Sequence, residues 1–290
     1  MRITSLLSRG APVFSFEFFP PKTETGDSAL LATIAELRPL SPDFISVTYG
    51  AGGSTRQRTI ELVSYIKHDV GIEAMAHLTC VGAGRDELVT VLDRLERAGI
   101  ENIIALRGDP PIGEDGFVPH PQGLRFAIEL VELLRSTSRP FCVAAACYPE
   151  KHVEAPSFEA DLLRLRAKVD AGVDFLITQL FFDNRAYFEF VDRARAAGIT
   201  VPIVAGIMPI TNLGQIERFT QRCGAAIPRS LHDLLEPHRN DSDRVERLSV
   251  EYAIDQCREL LERGVPGIHF YTLNRSRATR DILTALRRTS

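Results

Sequence analysis

The stretch "FSFEFFPPKT" (residues 14–23) places one carboxylate, Glu17, among Phe14, Phe16, Phe18 and Phe19, then closes with Pro20 and Pro21. An unpartnered carboxylate out of water costs several kcal/mol or takes up a proton. Glu17 is therefore on a wet face, paired with a cation such as Arg107, or shifted in acidity for use. Read as a strand, the segment puts Val13, Ser15 and Glu17 on one face and Phe14, Phe16 and Phe18 on the other. "ALRGDPP" (105–111) sets Arg107 and Asp109 ahead of Pro110 and Pro111, which forbid a helix there. Asp109 is then either a turn-initiating residue or an anion held in a fixed place. In "FEADLLRLRAKVDAG" (158–172), Phe158, Leu162, Leu165 and Val169 form one apolar stripe, with Asp161, Arg164 and Lys168 beside it. Those charges are either solvated ion pairs or a basic strip for a diphosphate. His77 and His152 lack a further His or Glu at helical spacing, so no metal site is expected. By itself, His77 reads as a core histidine.

These residues need elements to hold them. "RAGIENIIAL" (97–106), "DAGVDFLITQL" (170–180), "AAGITVPIVAGI" (196–207) and "ERGVPGIHFYTL" (262–273) each end a helical pattern at a glycine and begin an apolar run. The runs hardly alternate, as expected for strands covered on both faces of a parallel sheet. Eight strands are predicted near 13–18, 44–48, 73–78, 102–106, 141–146, 174–179, 201–206 and 267–271. Helices are predicted over 28–37, 55–68, 85–98, 121–136, 157–171, 184–197, 212–222, 243–263 and 276–288. Strand then helix, eight times, specifies an α/β fold, a (β/α)8 TIM barrel, as one domain over residues 1–290. A doubly wound dinucleotide fold would want Gly-x-Gly-x-x-Gly after an early strand, and the chain has none; "YGAGGST" (49–55) lacks that spacing. In such barrels chemistry sits at the strand exits, which here are polar: Glu17, Thr48, Tyr49, His77, Thr79, Arg107, Asp109, Tyr148, Gln179, Tyr271, Asn274 and Arg275.

A net charge of −4 over 290 residues gives no electrostatic reason to expect nucleic acid or an anionic membrane as partner. No apolar run is long enough for a signal peptide or a membrane span. Five cysteines without Cys-x-x-Cys spacing read as thiols of a reducing compartment, the cytosol, rather than a disulfide framework.

The motifs "FSFEFFPPK", "SVTYGAGG", "HLTC", "ALRGDPP", "YPEKH", "DLLRLRAKVDAGVDFLITQLFFD", "GIMPITN" and "FYTLNR" follow one another over roughly residues 10–288. In this order they closely resemble the short methylenetetrahydrofolate reductases. The resemblance implies non-covalent FAD, and NADH or NADPH as donor, reducing 5,10-methylenetetrahydrofolate to 5-methyltetrahydrofolate for methionine synthesis, with the two substrates taking turns in ping-pong fashion. It implies that Glu17 is the acid protonating folate N10 and that Asp109 sits between flavin and pterin, stabilising a cation. Gln179, Gln215 and Phe219 resemble folate and nicotinamide contacts, while Tyr271 and Arg275 resemble contacts to the aminobenzoyl-glutamate end. Thr48, Tyr49, Ala51, His77, Arg107, Gly108, Asp109, Phe126 and Ala127 resemble flavin and ribityl contacts. Tyr148, His152, Asp161, Arg164 and Lys168 resemble the wall for ribose, diphosphate and adenine. A homo-oligomer is expected. As an acid near neutral pH, Glu17 would need its pKa raised by about two units from an ordinary ~4.3, through burial at an apolar barrel mouth, while Asp109 stays ionised.

Overall fold

The computed structural model describes residues 1–50, 55–109 and 117–288. Eight parallel strands close into a barrel in chain order: β1 (Val13–Phe18), β2 (Phe44–Val47), β3 (Glu73–Thr79), β4 (Asn102–Leu106), β5 (Cys142–Cys147), β6 (Phe175–Thr178), β7 (Ile203–Ile207) and β8 (Gly267–Tyr271), with β8 paired back to β1. The helices are α1 (Ile3–Leu7), α2 (Glu24–Leu37), α3 (Arg56–Tyr65), α4 (Arg85–Arg97), α5 (Ala127–Ser136), α6 (Phe158–Asp170), α7 (Asn184–Ala196), α8 (Leu213–Cys223), α9 (Arg229–Leu235), α10 (Ser242–Glu262) and α11 (Arg277–Arg287). The (β/α)8 barrel expected from the sequence is thus the fold. Among the described residues, no helix is long and apolar enough to cross a membrane.

Alternation along the strands divides the apolar residues into two cores, because successive side chains point to opposite faces. Phe16 and Phe18 face outward and pack, fully buried, with Leu30, Ile34 and Leu37 of α2. Val13, Phe44, Met75, Ile104, Ala144 and Phe175 face inward and fill the lower barrel. On α6 the apolar stripe falls where its spacing placed it: Leu165 is buried, and Phe158, Leu162 and Val169 pack half-buried against the outer core.

Three local features differ from the expectation. The helix expected over 121–136 begins only at Ala127, because Glu129 accepts from the backbone N–H groups of Arg125 (2.5 Å) and Phe126 (3.3 Å) and so fixes the helix start. Upstream, residues 121–122 form a turn closed by Gly123 N donating to His120 O at 2.8 Å, and the Gln122 carbonyl accepts from Arg85 N at 2.9 Å, tying the turn to the start of α4. The other two are helices missed from the sequence. α9 and α1 are only 7 and 5 residues long, too short to show a periodic stripe. α1 plugs the barrel's N-terminal mouth: Ile3 and Leu6 join the inner core, and Ile3 N donates to Asn102 Oδ1 at 2.8 Å.

Candidate active site

Above the apolar plug, the barrel interior turns polar. The β1–β8 register sets Ser15 beside His269 and Glu17 beside Tyr271; the β1–β2 register sets Glu17 beside Ser46. Alternation turns Ser15, Glu17, Ser46, His77 and His269 inward, and closure brings them together. His77 Nε2 lies 3.3 Å from Glu17 Oε2 and 3.3 Å from Ser46 Oγ. His269 Nε2 lies 3.5 Å from the same carboxylate oxygen and 3.4 Å from Ser46 Oγ, while its Nδ1 meets Ser15 Oγ at 2.7 Å. Ser15, Ser46, His77 and His269 are all buried, and Glu17 is 20 % exposed at the mouth.

This geometry corrects the expected charge state of Glu17. Burial does push the carboxyl up. The positive charge of His77, hydrogen bonds from His269 and His77, and the charge of His269 outweigh it and hold the carboxyl at about 2. Glu17 is therefore an ionised carboxylate held between two imidazoles. Its partner is also not Arg107, whose guanidinium is engaged elsewhere. Neither is His77 simply a core histidine, since its ring nitrogen faces the carboxylate.

Glu17 opens into a cavity of ≈ 430 Å³ at the strand exits. Thr48, Tyr49, His77, Thr79, Arg107, Gly108, Asp109, Tyr148, His152, Gln179, Phe219 and Tyr271 also line it, so thirteen sequence-expected residues, Glu17 included, converge there. Asp109 is exposed at the rim. Gly108 adopts φ +89, and a Cβ there would come within 2.7 Å of Val81 Cγ1 and 2.9 Å of Thr79 Cβ, so the loop carrying Asp109 can pass this close only with glycine. Tyr271 is fixed by its hydroxyl, which donates to Thr178 O at 2.6 Å. Its ring lies where a Cβ on Gly206 would be, 2.7 Å from Tyr271 Cε2. Burial pushes the Tyr49 phenol up to about 12 and raises Tyr148 and Tyr271 as well, keeping all three protonated. Among the described residues, the buried Tyr49 hydroxyl and Thr79 Oγ1 have no hydrogen-bond partner.

A second cavity of ≈ 540 Å³ adjoins the first and shares Leu106, Arg107, Ala146, Tyr148 and His152 with it. Phe126, Ala127, Asp161, Arg164 and Lys168 line this second space. Lys168 Nζ donates to Ala146 O at 2.8 Å, and burial lowers its pKa. Asp161 accepts from His152 N at 2.9 Å, and the Tyr148 and His152 rings meet edge to face at 4.7 Å. Three cations (Arg107, Arg164, Lys168) and two carboxylates (Glu154, Asp161) surround it. Two connected cavities with unpartnered hydroxyls on one side and an excess of cations on the other fit an extended ligand with an anionic middle, as a flavin dinucleotide is.

Two expected contacts lie outside both cavities. Gln215 borders a small depression beside Phe219, and Arg275 lines a neighbouring space of ≈ 300 Å³ that also touches Tyr271. Ala51 lies outside the described residues, as do Pro110 and Pro111. Among the described residues, one grouping with metal-ligand geometry, Glu217, His232 and Glu236, is away from this site, and Arg239 already bonds both of its glutamates. Sequence reasoning did not single out Ser15, Ser46, His269 or Glu154. A signal for His269 was available: it stands two before Tyr271 in "GIHFY", on the same strand face.

The profile of the family described as methylenetetrahydrofolate reductase matches residues 2–287. The chain is 42% identical over 262 residues to the 5,10-methylenetetrahydrofolate reductase of Salmonella typhimurium, covering 90% of this chain and 86% of that one. It is 39% identical over 295 residues to methylenetetrahydrofolate reductase (NADH) 1 of Arabidopsis thaliana, covering 98% of this chain. The chain spans about half the length of the plant relatives it matches (50%). Among solved structures, a Clostridium thermocellum protein described as binding two copies of 5-methyl-5,6,7,8-tetrahydrofolic acid superposes with a TM-score of 0.62 at 17% identity, covering 100% of this chain and 99% of that one. Dihydropteroate synthase from Xanthomonas albilineans gives 0.51 at 15%, covering 98% and 94%. At such identities these two show the fold alone. The family profile and the bacterial relatives go further: this chain belongs to the methylenetetrahydrofolate reductase family.

Proposed function

We propose that the protein reduces 5,10-methylenetetrahydrofolate to 5-methyltetrahydrofolate with FAD and NADH or NADPH, the two substrates alternating in one site. The observation that carries this reading is the inward Glu17–His77–His269 cluster at the floor of a cavity with Asp109 at its rim, in a chain of this family. Bound FAD would supply the hydride store between nicotinamide and folate.

The protein's own residues have three tasks. Thr48, Tyr49, His77, Arg107, Gly108 and Asp109 in the first cavity, and Phe126, Ala127, Tyr148, His152, Asp161, Arg164 and Lys168 in the second, are the residues to hold the cofactor. Gln179, Phe219 and Tyr271, with Gln215 and Arg275 in the adjoining depressions, are placed to hold the folate. Glu17 and its imidazoles manage the proton. In the open site the carboxylate is ionised, because His77 and His269 oppose the effect of burial. Folate covering the mouth removes the remaining water and strengthens the burial effect, which raises the Glu17 carboxyl so that it can take up a proton and pass it to folate N10. Asp109 supplies a negative charge beside the cation that ring opening creates. The protein is further expected to act in cytosolic one-carbon metabolism leading to methionine, as a homo-oligomer.

The test is anaerobic mixing of FAD-loaded protein with NADH, then NADPH, followed by methylenetetrahydrofolate, while flavin absorbance is watched. Bleaching by a nicotinamide and recovery on folate addition is the expected result. Protein that stays colourless after FAD is supplied would instead identify a flavin-free pterin-binding barrel.

A further inference from the structure

Arg107 lines both cavities, so a ligand reaching from one into the other passes its guanidinium. That guanidinium is already held. Its two Nη groups donate to the two oxygens of Glu154 at 2.5 and 2.7 Å, a fork-to-fork pair, and the Phe117 ring lies 5.2 Å away on one side. Arg107 holds the Glu154 carboxyl below its usual range, so the acid is charged at neutral pH.

The loop that carries Glu154 is tied in place. Glu154 N donates to His152 Nδ1 at 3.1 Å, and Ala155 N donates to His152 O at 2.9 Å. Lys151 sits at φ +79, and its Nζ bonds His152 O and Ala155 O at 3.2 and 2.6 Å. Several bonds thus present one carboxylate to Arg107 at the border of the two cavities. The Glu154 side chain is 58 % exposed, so it has room to leave.

Building on the cofactor reading above, we propose that Glu154 is an internal competitor for Arg107 that weakens FAD binding and speeds its exchange. FAD reaching from the first cavity into the second carries its ribityl chain and the adjoining diphosphate past Arg107, and must either displace the carboxylate from the guanidinium or bind beside it. Displacement breaks a bidentate charge-assisted pair, and coexistence sets like charges side by side; both oppose binding. Around the second cavity, three cations face two carboxylates, a surplus of one positive charge. Neutralising Glu154 raises that surplus to two. In return, Glu154 spares the empty protein an unpaired, partly buried guanidinium.

The test is FAD titration of cofactor-free protein, read by quenching of flavin fluorescence, for the native chain and Glu154→Gln. The variant is expected to bind FAD about tenfold more tightly, mostly through slower release, as befits removal of one partly screened charge. Riboflavin, which has no phosphate, should bind both proteins equally. If native protein binds FAD and Glu154→Gln binds it equally or more weakly, Glu154 positions Arg107 instead and the competitor role is overturned. Equal tightening for riboflavin would overturn it too, since the gain would not arise at the diphosphate. No FAD binding by native protein would sink the cofactor reading and the competitor role together.

Discussion

Replacing His269 with glutamine tests the electrostatic account of the site most directly. His269 touches Glu17, Ser15 and Ser46 but does not reach the second cavity. The variant keeps a hydrogen-bond donor and removes the charge. Glu17 falls from an ordinary 4.5 to about 2 against the opposing push of burial. That net fall is worth about 3 kcal/mol. Both imidazoles contribute to the pull, so losing one should return the carboxyl toward 4.5. Because the native carboxyl titrates below its unfolded value, its contribution to stability is complete above about 4.5 and is lost as the pH falls toward about 2. His269→Gln should therefore lose part of that contribution at neutral pH, on the order of 1 kcal/mol. The assay is ¹³C NMR titration of δ-labelled glutamate, with the Glu17 signal assigned by its absence in Glu17→Gln, beside stopped-flow measurement of the two half-reactions. Flavin reduction by the nicotinamide should be near native and folate reduction slowed. An unmoved Glu17 midpoint, or native-rate folate reduction, would refute the electrostatic account.

Glu17→Gln is expected to abolish folate reduction and leave NAD(P)H-driven flavin reduction nearly intact; equal loss of both halves with FAD still bound would count against an acid role. Asp109→Asn should slow the folate half-reaction without releasing flavin, read by the same stopped-flow traces and the protein's visible spectrum. Gly206→Ala would place a methyl 2.3 Å from Thr178 O and 2.7 Å from Tyr271 Cε2. Such overpacking should cost about 1–3 kcal/mol in thermal unfolding and weaken folate binding by shifting Tyr271. Ile3, fully buried in the plug, should cost about 2–5 kcal/mol in urea unfolding when truncated to alanine. A negligible effect would mean that α1 does not support the barrel.

Much of the scaffold was legible because its signals are local. Helix-ending glycines at 99, 172, 198 and 264 all take the left-handed conformation expected of them, and each of the eight strands lies within two residues of its predicted bounds. What escaped was short or set by a side-chain cap inside an otherwise helical pattern. α1 has one turn's worth of sequence and earns its place only by plugging a barrel that other segments build. The start of α5 is set by Glu129 reaching back to Arg125 and Phe126, which overrides the helical pattern upstream.

The sequence by itself determined that Glu17 lies on the face opposite Phe14, Phe16 and Phe18, because strand alternation has a period of two and needs no knowledge of neighbours. It also placed Arg107 and Asp109 at a strand exit and Lys168 beside the buried stripe of its helix. Only the tertiary structure decided the charge on Glu17 and the company of Arg107. Barrel closure brings β8 against β1, so His269 arrives from 252 residues away, and the loop after β5 carries Glu154 onto a guanidinium 47 residues earlier. Acidity depends on which charges lie within a few ångströms, and that distance is set by the fold as a whole.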